Sequence, residues 1–185
     1  MRRYKIKISA GGVLLLAALY FFMDVRDFIA LLLAAAAHEC GHLAALRAAG
    51  CRIRGFSADA GGAVIERRGG AGTGWELICL AAGPAAGFLY ALAASLAGGA
   101  LGSGLLLCSA GMSAVLSVFN LLPSPPLDGG RIVQLIFGDR AAEIAGLLTA
   151  SAVFLFGFAA FISGRGAALF IAGALLLVKN IGGNL

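Results

Sequence analysis

Six apolar stretches joined by short polar segments leave this chain few ways to fold. They run at about residues 8–23, 28–48, 75–96, 105–122, 144–162 and 167–181. Lipid cannot pair with backbone N–H and C=O groups, so an apolar run of this length crosses a bilayer as a helix. Only 12% of the 185 residues are charged, whereas a soluble domain averages about 25%. The 28 glycines, with abundant alanine, suit close helix packing in lipid. The expected fold is therefore all-α: a polytopic membrane protein of about six transmembrane helices in one domain over residues 1–185.

The joints refine this picture. Arg2, Arg3, Lys5 and Lys7 precede the first apolar run like the basic leader of a signal peptide. No small-residue cleavage site follows before Asp24-Val25-Arg26-Asp27, so the run reads as an uncleaved first span. Residues 50–74 form the longest polar stretch; Cys51 to Phe56 alternates and Gly62 to Arg67 is β-prone. A short β-hairpin, a pair of edge strands and a plain solvated loop are all open there. The segment 131–143 reads as a short polar connector. Cys40, Cys51, Cys79 and Cys108 make no C-x-x-C pair, so small apolar packing residues are the simplest reading.

Within the second run lies His38-Glu39-Cys40-Gly41-His42. At about 100° per residue, His38 and His42 share a helix face and could offer two imidazoles to one ion. Glu39 falls beside them, where it can take a proton from water, while Cys40 points to the far side. Two histidines on zinc with a glutamate as general base is the metalloprotease reading of such a pattern. A packed structural cluster is the alternative. Ionisable groups within a membrane helix are costly, however, and mark function by default.

A catalytic zinc usually takes three protein ligands and keeps one position open. Asp128 is the third candidate. It lies 128 − 42 = 86 residues past His42, after Pro123, Pro125 and Pro126 and before Gly129-Gly130. Prolines there end the fourth helix and leave irregular backbone that must be buried in protein or line a cavity. A turn or helix-cap aspartate is the plain alternative. Asp139, Asp59, Glu66 and Glu76 are weaker candidates because nothing constrains their position. With a cytoplasmic N-terminus, twelve of the 14 Lys and Arg residues fall inside and only Arg26 and Arg165 outside, as the positive-inside rule requires. The end of the second helix and the Asp128 segment then emerge at the same, cytoplasmic, face. The +5 net charge follows from that topology; no basic stripe with interleaved aromatics points to nucleic acid.

These residues resemble the site-2 proteases, zinc metalloproteases that cut within membranes. His38-Glu39-Cys40-Gly41-His42 is similar to that family's first motif, and Asn120-Leu121-Leu122-Pro123 through Leu127-Asp128-Gly129 to its second. Ala82-Gly83-Pro84 is similar to a middle Gly-Pro element, which in an apolar helix means a kink or a close contact. Where the family often has Asn, this chain has Gly87. The resemblance implies one Zn2+ per chain on His38, His42 and Asp128, with Glu39 as catalytic base. It implies a transmembrane protein or peptide as substrate, with a regulatory membrane partner also open. Without a PDZ or other accessory domain, the expected place is the small branch that includes the bacterial sporulation-stage protease, in a bacterial plasma membrane. Asn120 could bind substrate backbone or a developing oxyanion, or could cap a helix. The competing readings are an ion-binding membrane transporter and a non-catalytic scaffold.

Overall fold

The computed structural model describes residues 5–59, 62–68 and 72–182. In order these form β1 (Lys5–Ile8), α1 (Ala10–Phe22), α2 (Val25–Ala48), β2 (Arg52–Asp59) and β3 (Gly62–Arg68). Then follow α3 (Thr73–Leu101), α4 (Gly104–Asn120), α5 (Asp128–Phe137), α6 (Asp139–Ile162) and α7 (Ala168–Gly182). The chain divides into two compact units, residues 1–118 and 119–185, described in turn below.

In the first unit, α1 begins at Ala10, two residues later than the apolar run suggested. Ser9 accounts for the difference: its hydroxyl accepts a hydrogen bond from the Gly12 N–H at 3.1 Å and caps the helix, which leaves Ile8 to the strand before it. Strand β1 lies parallel to β2, and β2 is antiparallel to β3 with Phe56 opposite Ile65. The polar stretch after α2 therefore supplies the middle strand and one edge of a three-stranded sheet.

Helix α2 starts next to Asp27 and ends next to Arg47, charges that complement the helix dipole. Its end is closed by Gly50 at φ 71°, with Cys51 N–H donating to the Leu46 carbonyl and Gly50 N–H to Arg47, both at 3.0 Å. That pattern needs a left-handed residue, which glycine adopts without a Cβ penalty. Helix α3 is longer than its apolar run, 73–101 against 75–96, and Gly102 at φ 63° stops it. Helix α4 turns Ser109, Ser113 and Ser117, one turn apart and all buried, toward α3. Ser113 Oγ donates to the Gly87 carbonyl at 2.8 Å, and Ser109 Oγ pairs with Tyr90 Oη at 2.9 Å. Small hydroxyl residues at such a seam let two helices approach and hydrogen-bond across.

In the second unit, α6 and α7 form an antiparallel hairpin. Gly157 sits against the backbone of Leu169 and Phe170, and Gly173 against that of Val153 and Phe154. Residues 131–143, expected as a connector, instead hold most of α5 and the first turn of α6. Ile132, Val133, Leu135 and Ile136 give α5 an apolar stripe that is too short to register as a span.

Among the described residues, three helices are long and apolar enough to cross a membrane, α2, α3 and α6. Apolar helices of 10–17 residues run at Gly12–Phe22, Gly104–Asn120 and Ala168–Gly182. The protein is built as a mostly helical integral membrane protein.

Candidate metal centre

The two histidines come together as their spacing requires. On α2, His38 Nε2 and His42 Nε2 stand 3.1 Å apart, with ring planes at 80°. His42 Nδ1 lies 2.8 Å from the Cys79 carbonyl of α3. A carbonyl can only accept, so Nδ1 carries the proton and the Nε2 lone pair of neutral His42 is left facing His38. At 3.1 Å the two nitrogens make a hydrogen bond, with His38 Nε2–H donating to His42, and a bound cation would take the place of that proton. Two ligands at about 2.05 Å on a tetrahedral zinc would sit about 3.4 Å apart, within a few tenths of an ångström of what the pair offers. The carbonyl behind His42 is the kind of outer partner that fixes a ligating imidazole. In donor type and spacing the pair suits zinc.

Close approach of α3 makes this geometry possible. A Cβ on Gly41 would run into the Ala82 carbonyl and lie 2.6 Å from the Ala86 methyl. A Cβ on Gly83 would collide with His42 Nε2 and come within 2.5 Å of its Cε1. The Gly-Pro element thus makes a close contact, with Pro84 wholly buried beside it. Gly87 is explained in the same way: the Ser117 hydroxyl of α4 fills the space where its Cβ would stand.

Around the pair, His38 is 5% exposed, Glu39 half-buried and Cys40 exposed, so Cys40 faces away as expected. The remaining site residues belong to the second unit. Asn120 is the last residue of α4 and Asp128 the first of α5, where it is buried. Between them the backbone turns at Ser124–Leu127, closed by Leu127 N–H donating to the Ser124 carbonyl at 2.9 Å, with a cis Pro125–Pro126 bond inside. Gly129 packs on the carbonyls of Leu121 and Leu122, and Gly130 on Ser124 and Pro125. Any side chain at either glycine would push the first turn of α5, and Asp128 with it, off this backbone. Sequence reasoning did not single out Asn180 of α7, whose amide reaches the same turn.

Known proteins place these features. A family model described as Peptidase family M50 matches residues 100–164, which include the Asn120 to Gly130 element; the His38–His42 motif precedes that stretch. The chain is 31% identical over 166 residues to "Putative zinc metalloprotease Rip3" of Mycobacterium tuberculosis, in each of two strains, covering 80% of this chain. It spans 42% of the length of those curated relatives. The solved structure "Site-2 Protease from Methanocaldococcus jannaschii" superposes with a TM-score of 0.69 at 20% identity, over 98% of this chain and 94% of that one, a likeness of fold. The site-2 protease resemblance carried by the motifs is borne out: the peptidase family model matches part of the chain, the curated relative is a putative zinc metalloprotease, and the solved site-2 protease shares the fold.

Proposed function

We propose that the protein is an intramembrane zinc metalloendopeptidase that hydrolyses a peptide bond in or near the transmembrane segment of a membrane-protein substrate, as regulated intramembrane proteolysis requires. The observation that carries this reading is the His38–His42 pair, with Nε2 atoms 3.1 Å apart on an apolar helix and His42 oriented by the Cys79 carbonyl. His38, His42 and Asp128 would hold one zinc ion. Two imidazoles and one carboxylate are a donor set that suits a catalytic zinc, which takes three protein ligands and keeps one position open.

When bound, zinc supplies Lewis acidity that activates water and polarises the scissile carbonyl. Glu39 takes the proton of the attacking water and returns it to the leaving amine. Asn120 hydrogen-bonds the substrate backbone or the oxyanion as it develops. The chain crosses the membrane six times, with both termini and the site at the cytoplasmic face; the twelve-to-two distribution of basic residues supports this. A substrate helix must unwind before attack, and its exposed backbone then needs a partner. Strand β3 is an edge of the sheet and could take up the unwound segment by β-augmentation. Recognition would rest on that segment, the surrounding lipid and a regulatory membrane partner.

Glu39→Gln tests the assignment. The variant should keep its zinc, because Glu39 is not a ligand, and lose cleavage by about 10²–10⁴-fold. Cleavage at the wild-type rate would sink the protease reading, and loss of zinc would make Glu39 a ligand instead.

A further inference from the structure

We infer that Asn180 is a positioning residue for Asp128, an inference that rests on the zinc reading above. Asn180 is an amide in the last turn of α7, next to Lys179 at the end of a helix that is apolar up to that point. A polar side chain in such a helix turns toward a partner within the protein. Its Nδ2 donates to the Ser124 hydroxyl at 3.0 Å, to the Pro125 carbonyl at 3.2 Å and to the Leu176 carbonyl at 2.8 Å. Two of these acceptors are backbone carbonyls, which fixes the amide's orientation. An NH2 group has two protons, so one of them is shared between two acceptors.

The partners are what give these bonds a role. Ser124 is wholly buried, and its Oγ also lies 3.5 Å from the Gly146 carbonyl of α6. Gly146 in turn has no room for a side chain: a Cβ there would meet Asn180 Oδ1 and stand 3.0 Å from Pro125 Cδ. Helices α6 and α7 therefore hold the Ser124–Leu127 turn from behind. Gly130 rests on that turn from the front, two residues after Asp128. Proline supplies no N–H, and the turn makes a single backbone hydrogen bond across itself, Leu127 N–H to Ser124. The Asn180 amide adds the hydrogen bonds that register the turn against α7. Losing the amide would leave a buried hydroxyl and a carbonyl short of a partner and free the turn to shift, and Asp128 would shift with it.

The test uses the full chain in detergent, stripped of metal and titrated with Co2+, whose d–d absorption reports ligand number and geometry. Removing an outer support of a ligand lowers metal affinity by about 10–100-fold. Asn180→Leu should fall in that range with an altered d–d envelope, and Ser124→Ala should move the same way by less. Phe161→Ala removes a ring stacked on Phe170 at 5.6 Å in the same helix pair. It should lower the melting temperature while leaving Co2+ affinity and spectrum as in wild type, which separates positioning from general stability. Wild-type affinity and spectrum in both Asn180→Leu and Ser124→Ala, beside loss of binding in Asp128→Ala, would overturn this inference alone. Co2+ held equally well by Asp128→Ala, or not at all by wild type, would overturn the zinc reading beneath it. If Asn180→Leu does not fold, Ser124→Ala decides.

Discussion

Gly83→Ala adds one methyl group, and its effect can be worked out from the α2–α3 contact. The new Cβ would overlap His42 Nε2 and lie 2.5 Å from Cε1 and 2.7 Å from Cδ2. Comfortable carbon contacts begin at about 3.5 Å, so the ring must retreat by about 1 Å. The ring is the far end of a flexible side chain, so it moves more readily than the helix backbone does. Metal–ligand distances tolerate only about 0.2 Å, so His42 would leave the coordination sphere. Its hydrogen bond to the Cys79 carbonyl would go too, at about 0.5–1.5 kcal/mol. Against that, alanine in a helix interior is favoured over glycine by about 0.5–1 kcal/mol, so folding stability should barely change. The expected result is a melting temperature within a few degrees of wild type for the metal-free protein, with zinc affinity down at least 10–100-fold. Competition against a chromophoric chelator, beside thermal unfolding of the stripped protein, reads both quantities. Wild-type zinc affinity in a folded Gly83→Ala protein would refute the claim that Gly83 exists to seat His42.

Three further outcomes follow from the same contacts. Asp128→Ala should cut zinc content from about one ion per chain to a small fraction, measured by elemental analysis after purification without chelator; full retention would mean another third ligand. Gly87→Ala should destabilise the protein by about 1–3 kcal/mol through overlap with the Ser117 hydroxyl, and Ser117→Gly in the same chain should recover most of the loss in a double-mutant cycle. Val64→Pro, on the edge strand β3, should impair cleavage of a transmembrane substrate while leaving zinc content intact, and unchanged cleavage would remove the β-augmentation step. Val64 is the better site than Ile53, which pairs with Arg67 from the middle strand, where proline would break the sheet as well.

Much of this arrangement could be read from local pattern. The apolar runs mark the helices because a bilayer leaves a backbone no other way to satisfy itself. The four-residue spacing of His38 and His42 shares a helix face at any tertiary arrangement, and it puts Cys40 on the other side for the same reason. Helix ends were less legible. Ser9 moved the first helix start because a cap depends on one hydroxyl rather than on hydropathy. Helix α5 was missed because Gly129, Gly130 and four spaced apolar residues resemble a turn followed by a polar joint. For the 50–74 stretch, alternation left strand and loop open, since a strand exists only once a neighbour pairs with it, and β1 comes from more than 40 positions away.

What stayed illegible depends on contacts between residues distant in sequence. Gly41, Gly83 and Gly87 look alike along the chain, yet one admits an alanine face, one an imidazole and one a serine hydroxyl. Nothing near them in sequence says which, because the partner atoms arrive from other helices. Asn180 is the extreme case: its partners Ser124 and Pro125 precede it by 56 and 55 residues. The chemistry of the site thus follows from residue types and helical periodicity, which are local properties. Its precision, to the few tenths of an ångström that a metal demands, comes from helix packing, and packing is fixed only when the whole unit has folded.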